Sequence, residues 1–65
     1  MNKLMLKNMI TFLSDDIGLD NSSIELGINL SIKKNTPLPI LLWSYGLLNI
    51  EELDRLYAYL YKYKD

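Results

Sequence analysis

Cysteine and histidine are both missing from this 65-residue chain. Without them the chain forms no disulfide, has none of the usual zinc ligands and lacks the commonest general base at neutral pH. No apolar run reaches the roughly 18–20 residues that span a bilayer. The N-terminus is interrupted by Lys7 and Asn8 too early for a signal peptide. The sequence therefore predicts a soluble protein of the cytoplasm, with no metal, no cofactor and no membrane span.

A strong charge of either sign is also missing. The formal net charge is −1 and the two signs are mixed, so no basic patch indicates nucleic acid or an anionic membrane as a partner. The acidic pairs Asp15-Asp16 and Glu51-Glu52 lie at predicted helix ends, where solvated carboxylates are ordinary. Since the chain has no Gly-rich phosphate loop and no recognisable nucleophile motif, we predict no catalytic residues and no enzymatic activity.

Helical patterns dominate what is present. We predict an all-α fold in which residues 1–65 form one small domain, a compact orthogonal bundle of four short helices near 3–17, 22–33, 37–45 and 50–63. The first helix has one apolar stripe at helical spacing, made of Leu6, Met9, Ile10, Leu13 and Ile17 and widened by Met5 and Phe12. Gly18 is typical of the left-handed residue that follows a helix, and Leu19 is expected to fold back on the last turn.

The stretch from Thr36 to Leu60 organises the rest of the chain. Thr36 is a preferred N-cap and Pro37 suits the first helical position, so the sequence predicts that a helix starts here. The helix that follows is apolar on nearly every side, which is typical of a helix enclosed by other elements. Gly46 predicts its end. Three short neighbouring helices are too few to cover it fully, so we expect some of its apolar surface to face a partner.

The last helix has a strong start signal and a clear apolar stripe. Asn49 and Glu52 have the spacing of a capping box. Glu51 and Arg55 are spaced as a favourable ion pair of less than about 1 kcal/mol. The side chains predicted to face the core follow helical spacing, namely Leu53, Leu56, Tyr57 and Leu60, with Tyr61 also toward that side.

Residues 22–34 allow two interpretations. Ser22 and Glu25 have capping-box spacing, which predicts a helix. Apolar and polar residues nevertheless alternate from Ile24 to Ile32, which is the period of a strand. The tyrosines of the tail also alternate, so a two-stranded ribbon from these two segments is the competing fold. We favour the helix because the local caps support it.

The run from Leu38 to Leu47, followed by Glu52-Leu53-Asp54, resembles the C-terminal half of a family of short cyanobacterial and plastid proteins known only as a domain of unknown function. The shared pattern is Leu-Pro, Leu-Trp, Tyr-Gly-Leu and Leu-Asp at this spacing. The family also has an N-terminal helix that ends in a Gly-Leu like Gly18-Leu19. The resemblance implies a small helical protein of a photosynthetic cell, or of the plastid stroma if it is organellar. It supplies no activity.

A second resemblance is to the N-terminal domain of type II secretion and pilus-assembly ATPases. Its apolar skeleton is matched by Leu38, Leu42, Gly46, Leu47 and Leu53. Pro37 and Pro39 stand where that motif has an arginine and a glycine, and the second copy of the motif is missing. The resemblance implies a cyclic-dinucleotide binding module as an alternative function.

Surface recognition is the function that these exclusions leave. We predict a non-catalytic protein–protein interaction module, an adaptor or accessory subunit that binds a larger assembly or itself. The candidate partner-binding residues are Trp43, Arg55, Tyr59 and Tyr63, since Tyr beside Arg on an exposed helix is typical of interfaces. Tyr59 and Tyr63 are equally well explained as half-buried core tyrosines, and core packing is the favoured interpretation of Trp43.

The helices on either side of Gly46 also have the arrangement of a helix-turn-helix pair. In a DNA-binding regulator of that kind, the start of the second helix enters the major groove. Glu51, Glu52 and Asp54 lie in that position here, and their negative charges oppose contact with phosphates. DNA binding is therefore an alternative that the charges disfavour.

Overall fold

The computed structural model describes residues 3–62, and these residues form four helices and no strand. The first, α1 (Lys3–Phe12), continues directly into a π-helical turn over Leu13–Ile17. It is followed by α2 (Asn21–Lys33), α3 (Leu38–Ser44) and α4 (Ile50–Tyr61). The prediction of an all-α fold with four short helices is confirmed. The predicted last helix extended to Tyr63, which lies outside the described residues.

The predicted apolar stripe of the first helix faces the interior. Met9, Phe12 and Leu13 are buried, and the remaining members of the stripe pack partly buried against them. The carbonyl oxygen of Leu13 accepts hydrogen bonds from the backbone N–H groups of Gly18 and Leu19, with N···O distances of 3.0 and 2.9 Å. The predicted left-handed ending at Gly18 is confirmed, and Leu19 packs against the core as expected.

The segment that the sequence leaves open between helix and strand is the helix α2. Ile24 is buried and Ile28 packs partly buried on the same side, whereas Leu26 and Ile32 are exposed, so the alternation does not produce a strand. The predicted cap at Ser22 was wrong, because the N-cap is Asp20 and the helix starts at Asn21.

The carboxylate of Asp20 lies at the start of α2 and accepts hydrogen bonds from the side-chain hydroxyls of Ser23 and Ser22. These two hydrogen bonds, with that from Ser23 the larger cause, hold the pKa of Asp20 below its ordinary value. The carboxylate therefore stays ionised at the helix N-terminus, where the helix dipole favours negative charge.

Close packing between α2 and α3 depends on Gly27. A Cβ atom at Gly27 would lie 2.6 Å from Cδ2 of Leu42 and 3.4 Å from Cδ1 of Leu38. Gly27 is itself buried and Leu42 is fully buried. The glycine, which weakens a helix by itself, is therefore the residue that lets the two helices approach each other.

The start of α3 differs from the prediction by one residue. Pro37, not Thr36, is the N-cap, because the carbonyl oxygen of Pro37 accepts the first helical hydrogen bond, from the N–H of Leu41 at 2.9 Å. The hydroxyl of Thr36 instead donates to the carbonyl of Lys34 at 3.2 Å. Pro39 lies in the first turn as expected, where its missing N–H has no helical partner to lose.

The turn between α3 and α4 has the predicted chemistry. Gly46 has a φ of 76°, and its N–H donates to the carbonyl of Trp43 while the N–H of Leu47 donates to that of Leu42. This is a Schellman ending. The predicted capping box is also present, since the backbone N–H of Glu52 donates to the side chain of Asn49 at 2.7 Å and that of Asn49 donates to the carboxylate of Glu52 at 2.9 Å.

The core lies where the four helices meet. α3 packs against both α2 and α4, α1 packs against α4, and the π-helical turn packs against α2. The largest fully buried side chains are Met9, Leu13, Leu41, Leu42 and Leu56. Leu48 in the turn is buried beside them. This arrangement decides which side of α3 and α4 is left at the surface.

Candidate functional site

One side of α3 presents large apolar side chains to solvent. Ile40 and Trp43 are three residues apart on the helix and are 36% and 45% exposed, and Tyr45 at the C-cap is 50% exposed. The opposite side of the same helix carries the buried Leu38, Leu41 and Leu42. Tyr45 comes two residues after Trp43, which is about 200° around the helix, so it lies at the end of α3 and not on this side. We call Ile40 and Trp43 the α3 face.

The interpretation of Trp43 as a core residue was wrong. α3 has only seven residues, and its contact with α2 and α4 is made by the leucines on the other side of the helix. Ser44, which is exposed beside Trp43, donates its hydroxyl to the carbonyl of Leu41 at 2.9 Å. The polar group of this face is therefore satisfied within the helix, and the indole ring has apolar surface exposed to solvent.

Two tyrosines of α4 are also more exposed than predicted. Tyr57 and Tyr61 were expected to face the core, but they are 42% and 73% exposed. The core side of α4 is a narrow stripe of Leu53, Leu56 and Leu60. Tyr57 follows Leu56 by one position, which is about 100° around the helix, and so it lies beside the core and not in it.

Tyr59 and Arg55 are close together, as their spacing predicted, and both contact the first helix. The rings of Tyr59 and Phe12 are stacked, with centroids 4.4 Å apart and an interplanar angle of 25°. The guanidinium carbon of Arg55 lies 6.0 Å from the centroid of the same Phe12 ring. Tyr59 is partly buried against the core. The two side chains therefore help to attach α4 to α1.

A shallow groove extends from this contact along the surface. It is lined by Phe12, Asp16, Arg55, Ala58, Tyr59 and Lys62. Trp43 does not line it, so the structure does not bring Trp43 together with Arg55 and Tyr59. Tyr63, the fourth candidate, lies outside the described residues. Within the described part of the chain no ion pair joins Glu51 and Arg55, because the guanidinium is placed over Phe12.

A comparison with protein families gives a match over most of the chain. The model of a family described as "protein of unknown function (DUF2949)" matches residues 6–61. The chain belongs to the DUF2949 family. No curated protein and no solved structure matches the chain.

The residues 6–61 that the DUF2949 model covers include all of α2, α3 and α4. In residues 3–62 no group of three or more acidic, histidine or cysteine side chains is placed to hold a metal ion. None of the helices in that part of the DUF2949 chain is long and apolar enough to cross a membrane. Large apolar side chains are exposed on all four helices that the structure describes, and the aromatic ones, Trp43, Tyr57 and Tyr61, are on α3 and α4.

The α3 face of this DUF2949 protein includes one residue that was not predicted as a candidate, Ile40. A signal for Ile40 was present, because it is three residues before Trp43 and shares its side of the helix. The exposure of Tyr45 at the end of α3 was not predicted either, since its position depends on how α3 ends at Gly46. On α4, Ile50 is exposed as well, at the first position of the helix.

Proposed function

We propose that this DUF2949 protein is a non-catalytic protein-interaction module, an adaptor or accessory subunit that binds a larger protein through the α3 face. The observation that carries the proposal is the exposure of Trp43, together with that of Ile40 on the same side, on a helix whose other side is buried. Trp and Tyr are the residue types that contribute most to binding energy at protein interfaces.

Folding alone does not explain why this surface is apolar. The leucines on the other side of α3 make its contacts with α2 and α4. Exposed apolar side chains that adjoin one another usually mark an interaction site. A binding function therefore gives a reason for a tryptophan that the core does not use.

A protein partner suits the charges at this end of the molecule better than DNA does. Glu51 and Asp54 are exposed in the first turns of α4, directly after the turn that ends α3. Their negative charges would face the phosphates of a duplex if α4 entered the major groove. An apolar surface beside acidic residues fits a protein surface with apolar and basic groups.

The setting we propose is a photosynthetic cell, in its cytoplasm or in the plastid stroma. This part of the proposal is supported by the Leu-Trp and Tyr-Gly-Leu pattern around Trp43 and Gly46, which resembles short cyanobacterial and plastid proteins. The affinity capture that tests the proposal therefore uses a cyanobacterial extract.

The test is a quantitative affinity capture with the 65-residue chain as bait. Trp43→Ser removes the centre of the α3 face, and Leu26→Ser is the matched control, because Leu26 is a comparably exposed apolar residue on α2. We expect a protein that the wild type and Leu26→Ser retain equally and that Trp43→Ser retains at least about tenfold less, since interface tryptophans contribute roughly 2 kcal/mol or more.

Circular dichroism of the three baits checks that their helix content is the same. Equal recovery of every captured protein by the wild type and by folded Trp43→Ser would show that the α3 face binds nothing. The proposal would then be wrong.

A further inference from the structure

A second surface, separate from the α3 face, extends along the length of α4. Ile50, Asp54, Tyr57 and Tyr61 are spaced by four, three and four residues, so they form one stripe on the helix. All four are exposed, with Ile50 at 62%. At 1.5 Å per residue the stripe is about 16 Å long. We call these four residues the α4 stripe.

The α4 stripe continues onto the start of α1. Met5 lines a shallow depression together with Tyr57, Leu60 and Tyr61. Leu4, the preceding residue, is exposed about 100° around α1 from Met5 and does not line the depression. The apolar part of the surface is therefore widest at the C-terminal end of α4, and the first turn of α1 belongs to it.

The charges at the two ends of this surface differ in sign, while Arg55 between them has its guanidinium over the Phe12 ring of α1. Glu51 and Asp54 are exposed near the N-terminal end of α4, while Lys62 is exposed at its C-terminal end. Lys3, in the same first turn of α1 as Met5, adds a second positive charge at that end. A surface that is acidic at one end and basic at the other is complementary to a second copy of itself turned through 180°.

We infer that two copies of this chain associate through their α4 stripes, antiparallel about a two-fold axis near the middle of α4. In that arrangement Ile50 lies opposite the second copy's Tyr61, and Asp54 lies opposite its Tyr57. The phenol of that Tyr57 can donate a hydrogen bond to the Asp54 carboxylate. Glu51 of each copy then lies near Lys62 of the other. A two-fold contact of this kind uses the same patch on both copies.

The contact is small, and its strength follows from its size. A standard interface takes about 800 Å² from each partner, which is roughly a sixth of this chain's 4641 Å² surface. One helix stripe with the first turn of α1 provides less than that. The dimer is therefore a reversible one with a dissociation constant in the micromolar range.

Sedimentation equilibrium of the purified chain tests the dimer, over about 5 to 500 µM protein at low salt. We expect a reversible change from monomer to dimer in this range. Raising the ionic strength from about 0.01 to 1 M shortens the Debye length from roughly 30 to 3 Å and is expected to weaken the dimer. A monomer at every concentration in low salt would overturn the inference.

Two variants identify the surface that the dimer uses. Tyr57→Ser with Tyr61→Ser is expected to raise the dissociation constant at least tenfold with unchanged helix content, because neither side chain is buried in the core. Trp43→Ser is the control and should dimerise like the wild type, since the inference does not depend on the α3 face. Dimerisation that is lost with Trp43→Ser and kept in the tyrosine double variant would overturn it.

A charge exchange tests the antiparallel arrangement. Glu51→Lys and Lys62→Glu, each alone, place like charges together twice per dimer, and we expect a roughly tenfold weaker dimer from each. The double exchange Glu51→Lys/Lys62→Glu restores opposite charges at both contacts and is expected to recover wild-type affinity. Single variants that dimerise like the wild type would contradict this arrangement. In a parallel pair, by contrast, Glu51 would lie at the same end as Glu51 of the second copy, and not near its Lys62.

Discussion

At the scale of single residues, Gly27 tests how closely α2 and α3 are packed. An alanine in a helix is favoured over glycine by about 1 kcal/mol. The Cβ of that alanine, however, would lie 2.6 Å from a methyl group of Leu42. Because Leu42 is fully buried, its side chain has no free space into which it could move. Overpacking of this kind costs about 1–3 kcal/mol. We therefore expect Gly27→Ala to lower the free energy of unfolding by roughly 1 kcal/mol, measured by urea denaturation.

The control for this prediction is to make Gly27→Ala in a protein that already carries Leu42→Val. Valine shortens the side chain that the methyl group of the new alanine would meet. In that background Gly27→Ala should be neutral or stabilising, because the space is available and the helix propensity of alanine remains. The same loss of stability in both backgrounds would show that the close approach to Leu42 is not its cause.

Gly27 also shows why some residues cannot be interpreted from the sequence. The left-handed conformations of Gly18 and Gly46 were predicted, because each follows an apolar helical run and depends only on its own helix end. The role of Gly27 depends on Leu42, fifteen positions later in the chain. A single sequence contains no local signal for such a contact.

At the scale of helices, the capping box at the start of α4 makes a measurable contribution. The side chain of Asn49 accepts a hydrogen bond from the backbone N–H of Glu52 at 2.7 Å. Asn49→Ala removes this acceptor and is expected to cost about 1 kcal/mol, which corresponds to a melting temperature about 4–8 °C lower in a domain of this size.

Asn29→Ala is the control for the capping prediction, because it makes the same chemical change at an exposed position inside α2. Alanine is the better helix former there, so the melting temperature should stay the same or rise slightly. Equal decreases in the two variants would mean that the capping box adds no stability.

The helices themselves were largely predictable, and their starts were less so. The cap at Asn49 was correct, because both halves of its capping box are local. At Thr36 and Ser22 a suitable residue was present, but the chain uses the neighbouring Pro37 and Asp20 as N-caps. Several candidate caps lie close together at these starts, and the packing of each helix on its neighbours selects one of them.

At the scale of the whole molecule, the sequence predicted which leucines are buried better than which aromatic side chains are exposed. Leu53, Leu56 and Leu60 form a stripe whose period is visible in the sequence. The exposure of Trp43 and Tyr57 depends on which flank of a short helix its neighbours cover. That is a property of the assembled bundle, and it decides the positions of the candidate interaction surfaces.

The size of the molecule makes its core sensitive to single substitutions. A stability of 0.05–0.15 kcal/mol per residue gives a 65-residue domain roughly 3–10 kcal/mol in total. Leu56 has no exposed surface and packs in the central cluster. Leu56→Ala removes buried methyl groups and leaves a cavity, at a cost of about 2–5 kcal/mol. We expect a melting temperature at least about 8 °C lower, or a chain that is largely unfolded at 25 °C.

Leu26→Ala is the matched control, because it makes the same substitution at a side chain that is 55% exposed on α2. Its effect should stay within about 0.5 kcal/mol. Thermal and urea denaturation of both variants, followed by circular dichroism, measure the difference. Similar losses at Leu56 and Leu26 would contradict the assignment of the core, and with it the identification of the α4 stripe as a surface open to a second copy.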